Sequence, residues 1–316
     1  MVLKTDFPPV RACLFDMDGL LLNTEDLYTD CINLVLEKYN RPRLPWNIKA
    51  KLQGRPGLEA TRIFEAWAQL PIDQTAYLAE VTSHQRRLFP GTDPLPGVQQ
   101  LLSDLGRTRY WDVAPAKGRS RVHIALATSS HLANFKLKTD HLTELFSVFE
   151  TNRKVLGDDP RIQPGRGKPL PDIFLLALKT INDSLPEGEA PITPEECLVF
   201  EDSVPGVEAG RRAGMRVIWV PHPGLLTEYA DRQPEVLAGI TGEAGDVDLH
   251  QVGQVGDGWA ERLPSLENFP YERYGIVIPD VSVDGESLCA STLPTASSLP
   301  RLPKFQPSYS IAAFLY

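Results

Sequence analysis

The chain has 316 residues, 42% of them hydrophobic and 23% charged, and its 32 Lys and Arg against 41 Asp and Glu give a formal net charge of -9. These proportions are typical of a globular protein and exclude global disorder, collagen-like repeats and coiled-coil fibres. The acidic balance argues against broad binding to nucleic acid or to an anionic membrane, so we expect small-molecule partners.

The 4 cysteines are scattered without CxxC spacing, which argues against a disulfide framework or a zinc cluster and favours a reducing compartment. The first ten residues carry charges and two prolines and lead into no long apolar run, so no secretory signal is predicted. The longest apolar runs are far shorter than the roughly 20 residues of a membrane-spanning helix. We therefore expect a cytoplasmic monomer, with the nucleus as the alternative location.

Short apolar segments that end in polar residues predict four buried strands, at residues 11–15, 122–127, 197–200 and 216–220. Segments with helical periodicity lie between them, including residues 171–181 and 204–213. Strands that alternate with helices imply a parallel sheet covered on both faces. The predicted fold is a doubly wound, Rossmann-like α/β domain.

Residues 24–89 interrupt this alternation, because they show only helical patterns, at 24–39, 57–70 and 72–88. The breaker-rich segment 90–97 then returns the chain to the α/β pattern, which predicts a small all-helical cap domain inserted on two hinge linkers. The alternative is that these helices pack on the sheet itself. The predicted domains are a core of residues 1–22 and 95–279, a cap of residues 23–94, and a Ser/Pro-rich disordered tail of residues 280–316.

Asp16 and Asp18 stand two residues apart directly after the first predicted strand. Because strand side chains alternate with a period of two, both can project to the same side of the strand end. Paired carboxylates there suit Mg²⁺, or a nucleophile beside a general acid and base. Taken alone, however, the pattern is better explained by an ordinary turn.

Three further polar groups lie at predicted strand ends or helix starts. Glu201 and Asp202 can complete a metal shell or cap the next helix. Thr128, Ser129 and Ser130 close another strand, where a hydroxyl and two free amides can hold phosphate oxygens, although in isolation a plain helix cap is the better explanation. Lys168 precedes a proline-restricted segment that suits a fixed cation, whereas a lysine before a helix is usually solvated.

Together, these groups supply the nucleophile, the acid and base, the metal ligands, the phosphate donors and the lysine that phosphoryl transfer through an aspartyl intermediate requires. Their order along the chain resembles the four motifs of the haloacid dehalogenase (HAD) superfamily, and the helical insert resembles its C1-type cap. Residues 15–25, 125–130 and 199–210 are most similar to the branch of pseudouridine-5'-phosphatases and β-phosphoglucomutases. The resemblance covers about residues 10–277.

By this resemblance, Asp16 is the nucleophile, and Asp18 protonates the leaving group and then activates water. Mg²⁺ is expected on Asp16, the backbone carbonyl of Asp18 and Asp202, with Glu201 close by. The resemblance assigns phosphate binding to Thr128, the amide of Ser129 and Lys168.

In the cap, Gly54 and Arg55 match the family's substrate loop, although a solvated surface arginine is equally expected. Mutases of this branch carry His where this chain has Tyr28, which favours hydrolysis. We therefore expect a Mg²⁺-dependent phosphatase that acts on a small phosphorylated metabolite (sugar, polyol or nucleoside monophosphate) through an aspartyl phosphate. The alternatives are a β-phosphoglucomutase-like mutase and a non-catalytic scaffold of the same fold.

Overall fold

The computed structural model describes residues 4–53, 57–108, 121–243 and 252–279. The strands within these residues are β1 (Ala12–Phe15), β2 (His123–Ala127), β3 (Lys154–Val155), β4 (Cys197–Glu201), β5 (Arg216–Trp219) and β6 (Ala260–Arg262). They form one parallel sheet in the order β3-β2-β1-β4-β5-β6. The first strand along the chain is therefore central, and β2 and β4 lie on either side of it.

Helices cover both faces of this sheet. The α-helices of the described residues are α1 (Thr24–Lys38), α2 (Trp46–Leu52), α3 (Gly57–Ala68), α4 (Gln74–Leu88), α5 (Val98–Arg107), α6 (Leu132–Thr139), α7 (Thr143–Phe146), α8 (Asp172–Asn182), α9 (Val204–Arg212), α10 (Pro223–Glu228) and α11 (Gln233–Ala238). Cys13 and Phe15 of β1 enter an apolar core shared with α5, whereas Ala12 and Leu14 enter the opposite core, shared with α8 and α9. The prediction of a doubly wound α/β sheet is confirmed.

Helices α1–α4 pack around an apolar cluster of their own, which is separate from the two cores of the sheet. Its buried members include Leu36, Phe64, Val81 and Phe89. An inserted cap predicts such a cluster, but Trp46 and Ala50 of α2 also pack against the core that the sheet shares with α8 and α9, so the inserted cap stays a prediction. The exact domain boundaries remain a prediction.

The chain enters and leaves the helical unit through two segments that run side by side. The Asn23 amide donates a hydrogen bond to the Asp93 carbonyl at 3.0 Å, and the Leu95 amide donates to the Leu21 carbonyl at 3.0 Å. An antiparallel bridge joins Leu22 and Pro94 between them. Paired connections of this kind leave the helical unit joined to the sheet domain at one place, as a hinge requires.

The four predicted strands begin and end within one residue of the observed ones. Strands β3 and β6 and helices α2, α5, α7, α10 and α11 were not predicted. Strands β3 and β6 have only 2 and 3 residues and carry charged side chains, so neither forms an apolar run. The predicted tail of residues 280–316 lies outside the described residues. Among the described helices, not one combines the length and apolarity needed to cross a bilayer.

Candidate active site

The carboxyl ends of β2, β1 and β4 place the predicted residues at one edge of the sheet. Phe15, the last residue of β1, pairs with Leu126 of β2 and with Phe200 of β4. Asp16 follows β1, Thr128 follows β2 and Asp202 follows β4, so they emerge side by side. Ligand sites of open parallel sheets lie at this edge.

These strand ends and the cap enclose a small cavity. Its lining comprises Asp16, Asp18, Glu25, Tyr28, Gln53, Ser129, Lys168, Asp202 and Ser203. The cavity volume is about 30 Å³, which is room for about two water molecules. A phosphate ester is larger than this volume.

Asp16 and Lys168 form the ion pair at the centre of the site. The Lys168 Nζ donates to Asp16 Oδ1 at 2.5 Å and lies 2.6 Å from Glu201 Oε1, and all three side chains are buried. Burial raises the pKa of Asp16 to about 8, although the charge of Lys168 opposes the rise. Burial lowers the pKa of Lys168, but the two carboxylates outweigh it and raise the pKa above its ordinary value. Lys168 is therefore a fixed cation beside the expected nucleophile.

Asp16, Glu201 and Asp202 bring carboxylate oxygens within 4.8 Å of one another. Burial, followed by the charges of Glu25, Glu201 and Asp16, raises the pKa of Asp202 well above its ordinary value. When all three are ionised, these carboxylates exceed the single Lys168 ammonium by two negative charges, and the raised pKa values of Asp16 and Asp202 reflect this uncompensated charge. Hard oxygen donors with this excess fit a divalent cation such as Mg²⁺.

Two glycines allow the chain to approach these acids closely. Gly19 has a φ of 77°, and a Cβ at this position would overlap Asp202 Oδ2. A Cβ at Gly206 would overlap the Glu201 carboxylate. Glu201 Oε2 already accepts from the Ser203 amide at 3.2 Å and from the Ser203 hydroxyl at 3.1 Å. Glu201 therefore anchors the turn before α9, and Asp202 is the acid better placed to bind a cation.

Asp18 points towards a different set of partners. Its Oδ1 is 2.5 Å from the Nζ of Lys138, and its Oδ2 accepts from the Ser130 hydroxyl at 2.6 Å and from the Thr128 hydroxyl at 3.4 Å. Burial raises the pKa of Asp18, but the charge and hydrogen bond of Lys138, followed by the Ser130 hydrogen bond, outweigh it and lower the pKa overall. The Thr128 hydroxyl, expected to bind phosphate, thus faces Asp18, whereas Ser129 lines the cavity.

The helical unit contributes side chains that sequence reasoning did not identify. Gln53, at the end of α2, donates through Nε2 to Asp202 Oδ2 at 2.6 Å, and its own Oε1 is buried without a hydrogen-bond partner. Lys49 and Glu25 form a buried ion pair at 3.0 Å beside the cavity. Gln53 directly precedes the predicted substrate loop, which is the only sequence signal for it. Gly54 and Arg55 themselves lie outside the described residues.

Lys138 was not predicted, and Ser130 was named only as part of the polar group that closes its strand. Ser130 stands next to the predicted Thr128 and Ser129, so its position in the chain indicated a role. Lys138 occupies the last turn of α6, where a lysine is ordinarily a solvated group that complements the helix dipole. Nothing in the local sequence shows that it is buried.

The sequence model of the haloacid dehalogenase-like hydrolases matches residues 10–214, and the chain belongs to this family. It is 40% identical over 268 residues to a probable pseudouridine-5'-phosphatase of Saccharomyces cerevisiae, covering 84% of this chain and 98% of the yeast protein. It is 38% identical over 233 residues to the mitochondrial (DL)-glycerol-3-phosphatase 1 of Arabidopsis thaliana, covering 73% of this chain and 70% of the plant protein. Together, these matches confirm the prediction of a HAD-like phosphoric monoester hydrolase.

A solved structure shows the same fold. The crystal structure of CbbY from Rhodobacter sphaeroides in complex with phosphate has a TM-score of 0.52 and 22% sequence identity, and covers 68% of this chain and 88% of that chain. At this identity the similarity supports the fold alone. The family and the α/β architecture thus agree with the resemblance of the sequence motifs.

Proposed function

We propose that the protein is a Mg²⁺-dependent phosphatase that hydrolyses a small phosphomonoester through an aspartyl phosphate on Asp16. The observation that carries the proposal is the position of Asp16 between the Lys168 ammonium and Asp202, on the wall of the same cavity as Asp18. An inactive scaffold of this fold has no need for such a set of buried charges, since each costs several kcal/mol to remove from water.

The proposed reaction has two phosphoryl transfers. In the first, a carboxylate oxygen of Asp16 attacks phosphorus, the ester P–O bond breaks, and Asp18, which is protonated in the proposed substrate complex, gives its proton to the departing alkoxide. In the second, water attacks the aspartyl phosphate, its proton passes to Asp18, and the P–O bond to Asp16 breaks to release inorganic phosphate. Lys168 and the Ser129 amide hold the phosphoryl oxygens, because charge spread over these oxygens needs positioning and cationic screening.

Asp16 and Asp202 would hold the Mg²⁺ ion, with the backbone carbonyl of Asp18 as a further ligand. When bound, the ion offsets the excess negative charge and polarises the phosphoryl group. The cap excludes bulk water while the ester is held.

We further propose that the alcohol part of the substrate is a sugar, a polyol or a nucleoside. The yeast and plant relatives are named for pseudouridine-5'-phosphate and glycerol-3-phosphate, both of which are esters of polyhydroxy compounds. The cap side of the cavity offers neutral or acidic groups, Tyr28, Gln53 and Glu25, that can bind hydroxyls.

Phosphate release from a panel of such esters, with and without Mg²⁺, tests the proposal. We expect Asp16→Asn to abolish release. Asp104→Asn is the matched control, because Asp104 is a buried acid of α5 that bonds the Tyr271 hydroxyl at 2.8 Å, away from the cavity. Equal rates for wild type and Asp16→Asn would contradict the proposal, as would interconversion of hexose phosphates without net phosphate release.

A further inference from the structure

Lys138 is a fully buried lysine whose three ammonium protons all have acceptors. Nζ lies 2.5 Å from Asp18 Oδ1, 2.7 Å from the Ser130 hydroxyl and 2.9 Å from the Tyr28 hydroxyl. An ammonium has three donors, so this side chain is saturated and geometrically fixed. Because Ser130 in turn donates to Asp18 Oδ2, both carboxylate oxygens are held.

Lys138 is also tied to both connections of the helical unit. Tyr28 belongs to α1, the first helix after the chain leaves the sheet domain, and its ring lies 4.7 Å from Nζ. The Lys138 carbonyl accepts a 2.7 Å hydrogen bond from the hydroxyl of Thr92, which lies in the segment that returns to the sheet domain. A movement of the cap about its paired connections therefore acts on Lys138 from two sides.

Stability alone does not account for this arrangement. A buried ion pair is often no more stabilising than apolar residues of the same volume, because desolvation offsets the attraction. Lys138 is absent from the described residues that line the cavity, so it is not positioned to bind the ester directly. Lys138 instead contacts the Asp18 carboxylate, to which the proposed function assigns proton transfer.

We propose that Lys138 is a positioning residue that orients the Asp18 carboxylate for proton transfer and couples this orientation to the cap through Tyr28. The inference rests on the proposed function, because it gives Asp18 that role. Removal of Lys138 then leaves substrate binding and the attack by Asp16 in place. It impairs the steps in which Asp18 gives or takes a proton.

The test compares two leaving groups with Lys138→Met in the full-length protein with Mg²⁺. p-Nitrophenolate departs without a proton, whereas an alkoxide needs the proton from Asp18. For the best alkyl ester of the panel, we expect kcat to fall about 100-fold, the loss typical of a displaced catalytic group, with KM unchanged. With p-nitrophenyl phosphate, we expect the stopped-flow burst of p-nitrophenol to remain and the following steady state to slow, since Asp18 also activates water.

Three variants separate positioning from folding. Lys138→Arg retains the charge and should recover part of the lost alkyl-ester kcat. Tyr28→Phe removes the hydroxyl that accepts from Lys138 and should lower that kcat about 10-fold, equivalent to one hydrogen bond, whereas loss of a contact between this hydroxyl and the substrate would raise KM. Arg153→Met removes another buried cation, which bonds Ser184 Oγ at 2.9 Å outside the cavity, and should lower thermal stability without changing the preference between leaving groups.

Equal losses for both esters with no remaining burst, or no loss for either, would overturn the positioning role of Lys138. A wild-type kcat in Tyr28→Phe would overturn the link to the cap. Failure of the proposed function gives a different result, namely a wild-type protein that releases no phosphate or an Asp16→Asn variant with the wild-type rate.

Discussion

Gly19→Ala tests how closely the first acidic loop approaches Asp202. Gly19 has a φ of 77°, and a Cβ there would overlap Asp202 Oδ2 and lie 2.7 Å from Glu25 Cγ. The left-handed backbone costs an alanine about 1–2 kcal/mol, and forcing buried groups apart costs about 1–3 kcal/mol more. We therefore expect the free energy of unfolding to fall by about 2–5 kcal/mol.

Gly188→Ala is the matched control, since Gly188 has a φ of 86° with no atom within 4 Å of the added Cβ. Only the backbone cost of about 1–2 kcal/mol applies there. Urea unfolding followed by circular dichroism gives both free energies, and titration calorimetry gives the Mg²⁺ affinity, which should fall only in Gly19→Ala because Asp202 is displaced. Equal destabilisation in the two variants, or an unchanged Mg²⁺ affinity in Gly19→Ala, would refute this reasoning.

Three other outcomes are expected from the same geometry. Asp202→Asn should weaken Mg²⁺ binding about 10-fold or more in calorimetry, because it removes one of the excess charges; wild-type affinity would argue against a cation at this carboxylate. Gly224→Ala places a Cβ on the Trp46 indole, so we expect about 1–3 kcal/mol lower stability and altered tryptophan fluorescence, and an unchanged spectrum would disprove the packing of α2 on α10. Burial lowers the pKa of His123, so the stability that its neutral form contributes is present above about pH 6.5 and is lost as the pH falls towards the lower pKa of the folded state. In urea unfolding, the free energy of unfolding of His123→Gln should therefore depend less on pH than that of the wild type. The same pH dependence in both proteins would contradict this.

The sheet could be predicted because its central strands carry their own signal. Each is a short apolar run that ends in polar residues, and burial on both faces produces that pattern. The edge strands gave no such signal, since β3 has only 2 residues and β6 pairs along one side with β5. Helix α2 was missed because its 7 residues include Lys49, whose burial depends on Glu25 in another helix.

The residues of the candidate site likewise divide into those with a signal in the sequence and those without one. Asp16, Asp18, Thr128 and Asp202 were found because parallel strands end at a common edge, so position in the sequence predicts proximity in space. Lys138 and Gln53 reach the site from helices, and only tertiary packing brings them there. Side chains supplied by helix packing therefore require the structure, whereas those at strand ends are visible in the sequence.

The structure shows a further contact between the helical unit and the sheet domain. The Trp46 ring of α2 stacks on His222 at 4.5 Å, and His222 Nε2 lies 3.4 Å from Asp26 Oδ1 of α1. The modest number of these contacts fits a cap that opens to admit an ester and closes again over it.

The most direct test of the proposed chemistry is to locate the phosphoryl group on the protein. Asp18→Asn should accept phosphate from p-nitrophenyl phosphate in the presence of Mg²⁺ and then release it slowly, because no carboxylate activates the attacking water. After acid quenching and borohydride reduction, peptide mass spectrometry should show the modification at Asp16. Modification of a different residue, or an unmodified protein in a preparation whose wild type releases phosphate, would contradict a covalent aspartyl mechanism.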